Sequence, residues 1–478
     1  MKLSEVLKGI EVLNSITQDV EVTDITCDSR QAKQGYIFAA IKGLVVDRLD
    51  FVPQVVEAGA VAILSDRPVE TSVPVILVKN VRLAFGLIAN RLFPSEKLKK
   101  LAVTGTNGKT SSVFFTQQLL NKLGILTASM GTVGIDSPVW HEPSSMTTAD
   151  PDVLNKTFQR LQEKEVQVVC IEASSIGIEQ DRIAGNVFEG AAFTNLTQDH
   201  LDLHKTMRNY LNAKKKLFDF VKPGGIAVLN ADIPEFEELK EYALSKGLRL
   251  FSYGKNGQEA KLISQEPTAK GQLLTIEVLG KKYTIQFPVI GDFQAYNLLD
   301  VLGLCYAAGA DLEKIIPLAE ELKAPEGRSE WIAEYNHGQI YVDYAHTPDA
   351  LERLLVSLRK HTTGRLICLF GCGGNRDNTK RPIMGEIANR LADVVYVTDD
   401  NPRDEDPAVV RQMILKACPK GIEVDNRVNA IHTAIDALQP DDLLVLAGKG
   451  HEDYQLIKGV KYHLYEKEEI LNYLKTKK

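Results

Sequence analysis

Short apolar runs alternate with longer amphipathic stretches along most of this chain, a pattern that predicts strands of a mainly parallel sheet joined by surface helices. In residues 1–98, strands are expected over Tyr36–Ile41, Ala60–Leu64 and Val75–Val78, with a helix around Asp50–Ala58. Phe93-Pro94-Ser95-Glu96-Lys97-Leu98 then interrupts the pattern, because proline ends a helix and polar residues follow. From 99 to 326 the alternation is carried by Leu101–Thr104, Val166–Glu172, Gly190–Asn195 and Gly225–Asn230. Within that stretch Lys261–Gln286 reads differently: Leu273–Val278 and Tyr283–Ile285, joined through Gly280, predict an antiparallel insertion. Ala324-Pro325-Glu326-Gly327-Arg328 punctuates again. Beyond it, Ile340–Asp343, Leu366–Phe370, Val394–Thr398 and Asp442–Leu446 predict a second open α/β sheet. The expected class is α/β in three domains, bounded at 1–98, 99–326 and 327–478.

Charge and cysteine usage narrow the setting. A net charge of −7 argues against general binding to nucleic acid or to anionic membranes, although a local basic patch can still hold a small polyanion. No run reaches the ~18 apolar residues of a membrane-spanning helix. Met1–Lys8 mixes acid and base without an apolar stretch, so no signal peptide is expected. Cys27, Cys170, Cys305, Cys368, Cys372 and Cys418 include no C-x-x-C pair, and several sit in apolar runs. Buried, reduced thiols in a cytoplasmic protein are expected.

The strongest chemical signal is Leu101–Ser112, where an apolar strand runs into Thr104-Gly105-Thr106-Asn107-Gly108-Lys109-Thr110 and then a helix-like stretch. Such a turn wraps phosphates with backbone N–H groups, adds a lysine charge and offers a hydroxyl to Mg²⁺. The usual early glycine is replaced by Val103, so the loop is a shortened form that turns at Gly105. Glu172 ends an expected strand of the same sheet, where it reads either as a hard oxygen ligand for Mg²⁺ or as a helix-cap acid. His200 and His204 are four residues apart, yet a zinc site wants a clear third ligand. On spacing alone they read as surface histidines, and Lys214-Lys215-Lys216 as a solvated helix face.

The C-terminal part gathers further candidates at successive strand ends. These are Asp343-Tyr344-Ala345-His346, Gly371-Cys372-Gly373-Gly374-Asn375-Arg376, Asp400-Asn401-Pro402-Arg403 and Gly448-Lys449-Gly450-His451-Glu452. Ligands of open α/β sheets lie beyond the carboxyl ends of the strands. Arg376 and Arg403 suit a carboxylate, Asp400 and Glu452 an ammonium group, so the mixture points to a zwitterion such as an amino acid.

In this order the motifs resemble those of the Mur ligase family over essentially the whole chain. The resemblance rests on Asp28-Ser29-Arg30, the 104–110 loop, Thr147-Thr148, Glu172-Ala173-Ser174-Ser175, Asn195–Asp202, Tyr210-x-x-Ala213-Lys214, Asn297, Gly327-Arg328, Asp343–Pro348, Asp400–Arg403 and Gly448–Glu452. It implies a small N-terminal domain for the UDP-linked substrate, a central ATP-binding domain and a C-terminal Rossmann-like domain for the amino acid. ATP would meet Gly105, Thr106, Asn107, Gly108, Lys109, Thr110, Ser111, Asn297, Arg328 and Asp343. The UDP substrate would meet Ser29, Thr147, Thr148, Ser175, Gln180 and Arg182, and the amino acid Arg376, Asp400, Asn401, Pro402, Arg403, Gly448 and Glu452. The resemblance also implies two Mg²⁺ ions held by Thr110, Glu172, His200 and a carbamylated Lys214, with Lys109, Lys214 and His346 as catalytic residues.

The implied reaction adds meso-diaminopimelate to UDP-N-acetylmuramoyl-L-alanyl-D-glutamate in a cytoplasmic monomer, through an acyl phosphate that a closing cleft shields from water. The alternatives are L-lysine as the added amino acid, another ligase of the superfamily (D-Ala-D-Ala-adding or folylpolyglutamate-forming), and a non-catalytic phosphate-loop module. Some positions depart from the family pattern. Leu44-Val45-Val46 replaces a polar segment, Asp47-Arg48-Leu49-Asp50-Phe51 lacks the common Asp-Gly-His order, and Met146 and Ile176 stand where asparagine and histidine are common.

Overall fold

The computed structural model describes residues 1–16, 18–43, 46–143, 146–268 and 270–477; the departure expected at Leu44 and Val45 lies outside them. The chain divides into two compact units, Met1–Ala260 with Asp300–Ile315, and Lys261–Leu299 with Ile316–Lys478.

The first unit holds two sheets. Asp24–Thr26, Tyr36–Ala39, Ala62–Ser65 and Val75–Leu77 form a four-stranded parallel sheet in sequence order. Helix Val81–Leu92 packs its Val81, Ala84, Phe85, Ile88 and Ala89 face into that core. In the larger sheet six parallel strands run in the order Arg249–Gly254, Val221–Asn230, Phe188–Phe193, Lys99–Thr104, Val168–Glu172, Thr127–Gly131. Gly134–Ser137 and Trp140–Glu142 then extend one edge antiparallel. The phosphate-loop strand Lys99–Thr104 lies inside this sheet, with Phe193 in register with Thr104 on one side and Glu172 with Val103 on the other. Residues 194–199 and Glu172 therefore emerge beside the loop, a consequence of strand order that places the chemistry.

In the second unit the strand order is Glu330–Tyr335, Gly338–Asp343, Leu443–Ala447, Leu366–Phe370, Val394–Val397, Gly421–Glu423. The first is antiparallel to its neighbour and the rest are parallel, so the sheet is mixed. Alternate residues of one strand enter different cores: Leu366, Cys368 and Phe370 on one face, Ile367 and Leu369 on the other. Burial on both faces explains why this strand reads as an unbroken apolar run. Asp343, Ala447 and Phe370 are in register across three strands, which aligns the loops that follow them. The expected antiparallel pair is present as Gly271–Val278 and Lys281–Phe287. Pro348 opens its helix behind a Thr347 cap that accepts the Ala350 N–H.

All six cysteines are buried and none is in a disulfide; burial pushes the Cys27 thiol up to about 12, so it stays protonated. Among the described residues, no helix is long and apolar enough to cross a membrane.

One buried ion pair organises the strand ends of the second unit. Arg427 and Glu466 have fully buried side chains 2.7 Å apart. The remaining guanidinium nitrogens of Arg427 donate to the carbonyls of Asp399 and Ala447, each at 3.0 Å. Arg427→Ala strands a carboxyl group without its partner and is expected to cost about 3–5 kcal/mol. The paired change Arg427→Met with Glu466→Met should cost far less. Urea denaturation of both variants checks this, and equal losses would show that burial of the pair is not what matters.

Candidate active site

The phosphate loop is braced from the strand beside it. Gly105 has φ +143° and Gly108 φ +91°, values open to glycine at little cost. A Cβ on Gly105 would lie 1.9 Å from Thr194 Oγ1, so backbone and neighbour both demand glycine there. Thr106 N donates to Asn195 O at 2.9 Å and Asn107 N to Asn195 Oδ1 at 2.9 Å, while Thr194 Oγ1 donates to Asn107 O at 2.6 Å. Lys109 opens helix Lys109–Lys122, and Ser111 is buried in its first turn. The Lys109 Nζ curls back to donate to Gly105 O at 2.9 Å and Thr106 O at 2.8 Å.

Lys214 converges on the same carbonyl. Its Nζ donates to Gly105 O at 2.7 Å and lies 4.4 Å from the centre of the Tyr210 ring. Lys214 is 1 % exposed, whereas Lys215 is partly exposed and Lys216 exposed, so the expected solvated face is corrected for Lys214. The reason is helical: Met207–Lys215 turns Tyr210, Leu211, Ala213 and Lys214 inward. Burial first, and then the Lys109 charge, hold the Lys214 ammonium well below the usual lysine range, favouring the neutral amine. His204 is likewise corrected from surface to core, with Nε2 3.0 Å from Ser175 Oγ and Nδ1 3.3 Å from the Glu179 carboxylate. His200 remains exposed at φ +52°, its ring edge-on to Tyr210.

Glu172 joins the loop to Thr147, Thr148 and Arg182, which the resemblance expects at the UDP substrate. Its Oε1 accepts from Thr110 Oγ1 at 3.1 Å and from Thr132 N at 2.8 Å. Thr132 Oγ1 lies 3.1 Å from Thr147 Oγ1. Thr148 Oγ1 donates to Glu172 O at 3.0 Å, and Arg182 Nη1 to Thr148 O at 2.7 Å. Arg182 also donates to Gln180 Oε1 at 2.9 Å and pairs with Asp150 at 3.3 Å. A continuous chain of bonds thus runs from Thr110 to Arg182, all of it in the first unit. Ser29 begins a short 3₁₀ turn elsewhere in that unit, partly exposed. The Thr110 hydroxyl and the buried Glu172 carboxylate, 3.1 Å apart, are hard oxygen donors of the kind Mg²⁺ takes, so the chemistry of these residues fits the ion.

Thr132 and Thr194 are contributors that no sequence motif held, while Asn195 and Tyr210 stood inside motifs without a role of their own. Their signals were faint: Thr132 follows a strand end, and Tyr210 lies four residues before Lys214 on one helix face.

In the second unit the Asp400–Arg403 loop meets the Gly448–Glu452 and Gly371–Arg376 loops. Asn401 Nδ2 donates to Glu452 Oε2 at 2.8 Å, and the fully buried Lys449 pairs with that carboxylate at 3.1 Å. Glu452 therefore already carries a countercharge. Asp400 is 9 % exposed, with Gly448 so near that a Cβ there would lie 3.0 Å from its Oδ2. Pro402 is buried, and its carbonyl lies 1.9 Å from where a Gly374 Cβ would stand. Arg403, at φ +54°, donates from Nη1 to Gly374 O at 2.9 Å, and Arg376 is exposed on the same glycine turn.

Asn297, Arg328 and Asp343 also belong to the second unit. Asn297 is buried and donates to Gln294 Oε1 at 2.9 Å. Asp343 accepts from Ser329 N at 2.6 Å and Ala345 N at 2.8 Å; burial raises its carboxyl while Arg328 works the other way. Arg328 stacks 4.7 Å over Tyr344, against which His346 also packs. His346 is exposed, yet desolvation by the loops around it, followed by the charges of Lys380 and Arg328, lowers its pKa and favours the neutral ring.

A phosphate loop with a paired threonine and carboxylate in one unit, and a strand-end site mixing acids and arginines in the other, define a nucleotide-using ligase class, and the chain belongs to the Mur ligase family. Its family models match as Mur ligase middle domain over 103–305, Mur ligase glutamate ligase domain over 327–450 and Mur ligase family catalytic domain over 21–92. Among relatives, the UDP-N-acetylmuramoyl-L-alanyl-D-glutamate–2,6-diaminopimelate ligase of Caulobacter vibrioides is 43% identical over 92% of this chain and 93% of its own. The ligase of the same name from Mesorhizobium japonicum is 41% identical over 98% of each. A solved structure of a ligase with that name superposes at a TM-score of 0.76 with 29% identity, covering 100% of this chain and 99% of that one. MurF ligase from Thermotoga maritima, solved in complex with ADP, shares the fold at a TM-score of 0.64 and 18% identity.

Gly131 offers a test that leaves every charged group in place. A Cβ there would lie 2.2 Å from Glu172 Oε1. Gly131→Ala should displace the carboxylate and lower ATP-dependent phosphate release by about 10²-fold, on the scale of losing one preorganised electrostatic group. An unchanged rate would remove Glu172 from the chemistry.

Proposed function

We propose that this chain joins meso-diaminopimelate to UDP-N-acetylmuramoyl-L-alanyl-D-glutamate at the expense of ATP, releasing ADP and phosphate. It acts as a monomer in the cytoplasm, in the synthesis of peptidoglycan. Full-length similarity to ligases of that name supports the reading. The observation that carries it is the bond chain from Thr110 through Glu172 and Thr132 to Thr147, which sets a substrate strip directly beside a phosphate loop. In this reading the functional divisions fall at 1–98, 99–326 and 327–478.

The chemistry begins with an electrostatic obstacle. Two unit negative charges ~4 Å apart repel by about 4 kcal/mol at an effective dielectric near 20. Lys109 and the N–H groups of residues 105–111 offset this repulsion as the glutamyl carboxylate attacks the γ-phosphate and ADP leaves. Two Mg²⁺ ions, when bound through Thr110, Glu172, His200 and Lys214, supply further positive charge to the phosphates. Lys214 enters as its carbamate: the neutral amine adds CO₂ and loses a proton, becoming an anionic oxygen ligand. Its burial and depressed pKa support that role, and the carbamate keeps an N–H for Gly105 O.

The amine of diaminopimelate then attacks the acyl phosphate, and phosphate leaves with one former carboxylate oxygen. Asn297, Arg328 and Asp343 bind the nucleotide, and His346, held neutral, is available to take the proton of the amine. Asp400, Asn401, Pro402, Gly448, Glu452, Arg376 and Arg403 hold the amino acid. Arg403 pairs with the distal carboxylate that lysine lacks, so lysine would leave a guanidinium without its partner.

Phosphate release is expected only with the UDP-muramoyl-dipeptide and diaminopimelate together, and weakly or not at all with L-lysine. Arg403→Ala should lower kcat/KM for diaminopimelate by roughly ten- to a hundredfold, the scale of a charged hydrogen-bonded pair, while ATP binding survives. Equal rates with lysine, or a fully active Arg403→Ala, would contradict the assignment.

A further inference from the structure

A cavity of about 480 Å³, open mouth included, lies within the first unit, lined by Arg48, Arg82 and Arg182 together with Gln180, Asp150 and Phe85. Three guanidinium groups face one carboxylate, which leaves two positive charges without a counterion in the lining. Arg182 pairs with Asp150; among the described residues neither Arg48 nor Arg82 forms an ion pair. Burial, and then the charges of Arg182 and Arg48, depress the Arg82 guanidinium, a sign of how closely the three crowd. Crowded like charges cost stability unless something anionic sits among them.

The elements that line the cavity are tied to their neighbours. Arg82 is the second residue of helix Val81–Leu92, whose cap Asn80 accepts the Leu83 N–H and donates to Asp181 Oδ2 at 2.9 Å. Gly86 of the same helix packs so closely that a Cβ would lie 2.7 Å from Ala184 Cβ. Arg48 opens the 3₁₀ turn Arg48–Phe51, and Arg67 takes up the adjacent Asp47 at 2.8 Å. The Arg48 charge also acts on Cys27 and Asp28, the residues just before Ser29. Arg48 thus faces the Ser29 end, while Arg182 joins the strip that ends at Thr147 and Thr148.

We propose that Arg48 and Arg82, with Arg182, clamp the diphosphate of a nucleoside-diphosphate sugar. The proposal rests on the UDP-linked substrate argued above and adds two residues that no motif assigned. In such a substrate the diphosphate is the link between the uridine and the sugar–peptide end. It carries two negative charges, matching the two left open in the cavity, and guanidinium groups recognise phosphate oxygens by paired charge-assisted bonds. Arg48 stands in the segment that departs from the family pattern, so this chain brings its own cation to the site.

Isothermal titration calorimetry of the full-length protein tests this with UDP-N-acetylmuramoyl-dipeptide and with the same muramoyl-dipeptide lacking UDP. Arg48→Gln and Arg82→Gln should each weaken the UDP compound by roughly ten- to a hundredfold, with Arg82→Lys intermediate. Binding of the UDP-free compound should stay within about twofold, because it reaches Arg182 but neither Arg48 nor Arg82. Relief of crowding should also leave the Tm of Arg82→Gln equal or higher, a result that a merely structural arginine would not give. Unchanged affinity for the UDP compound, or equal loss for both ligands with a lower Tm, would overturn the clamp. Wild-type protein that binds the UDP compound through these arginines, yet releases no phosphate with ATP and diaminopimelate, would contradict the ligase reading and leave the clamp standing.

Discussion

The first unit is built around the backbone of Gly105. No side chain fits there, since Thr194 occupies the space and φ lies at +143°. Its carbonyl takes hydrogen bonds from both Lys109 and Lys214, so two amines are drawn to one point beside the phosphate loop. Placing two cations so close is costly, and the protein offsets it by burying Lys214 until the neutral amine is favoured. In the proposed reading, that proximity leaves Lys109 as a charge for phosphates and Lys214 as the amine open to carbamylation. Strand order makes this possible, because the strand Lys99–Thr104 that leads into Gly105 has Phe188–Phe193 on one side and Val168–Glu172 on the other.

The second unit solves a different problem, the presentation of opposite charges without letting them collapse on one another. Lys449 and Asn401 engage Glu452, and Arg427 donates to the carbonyls of Asp399 and Ala447. Arg403 is held by the Gly374 carbonyl, a neutral partner that orients the guanidinium without cancelling its charge. An arginine held this way remains competent to pair with an incoming carboxylate.

Much of this was legible in the sequence, for identifiable reasons. Strands such as Leu366–Phe370 are buried on both faces, so their apolar runs are continuous and their limits plain. The phosphate loop and the strand-end loops could be found because their glycines and charged residues follow apolar runs directly. What remained hidden depended on neighbours distant in sequence. Lys214 looks like its neighbours in a lysine run, and only the side of the helix it occupies separates it from them. His204 reads as a surface residue until Ser175 and Glu179 are seen packed against it. Thr132 joins the site through its backbone N–H, a group every residue but proline carries and no motif reports. Arg48 and Arg82 lie 34 residues apart in the chain and share a cavity only because two segments fold together.

Transfer from this phosphate loop to a substrate carboxylate, rather than to water, can be tested by labelling the glutamyl carboxylate of the UDP-muramoyl-dipeptide with heavy oxygen and analysing the phosphate released during turnover with diaminopimelate. Each phosphate should carry one heavy oxygen from that carboxylate, left behind when the amine displaces it. Phosphate that takes its fourth oxygen from the solvent instead would mean that ATP is hydrolysed directly and that no acyl phosphate forms.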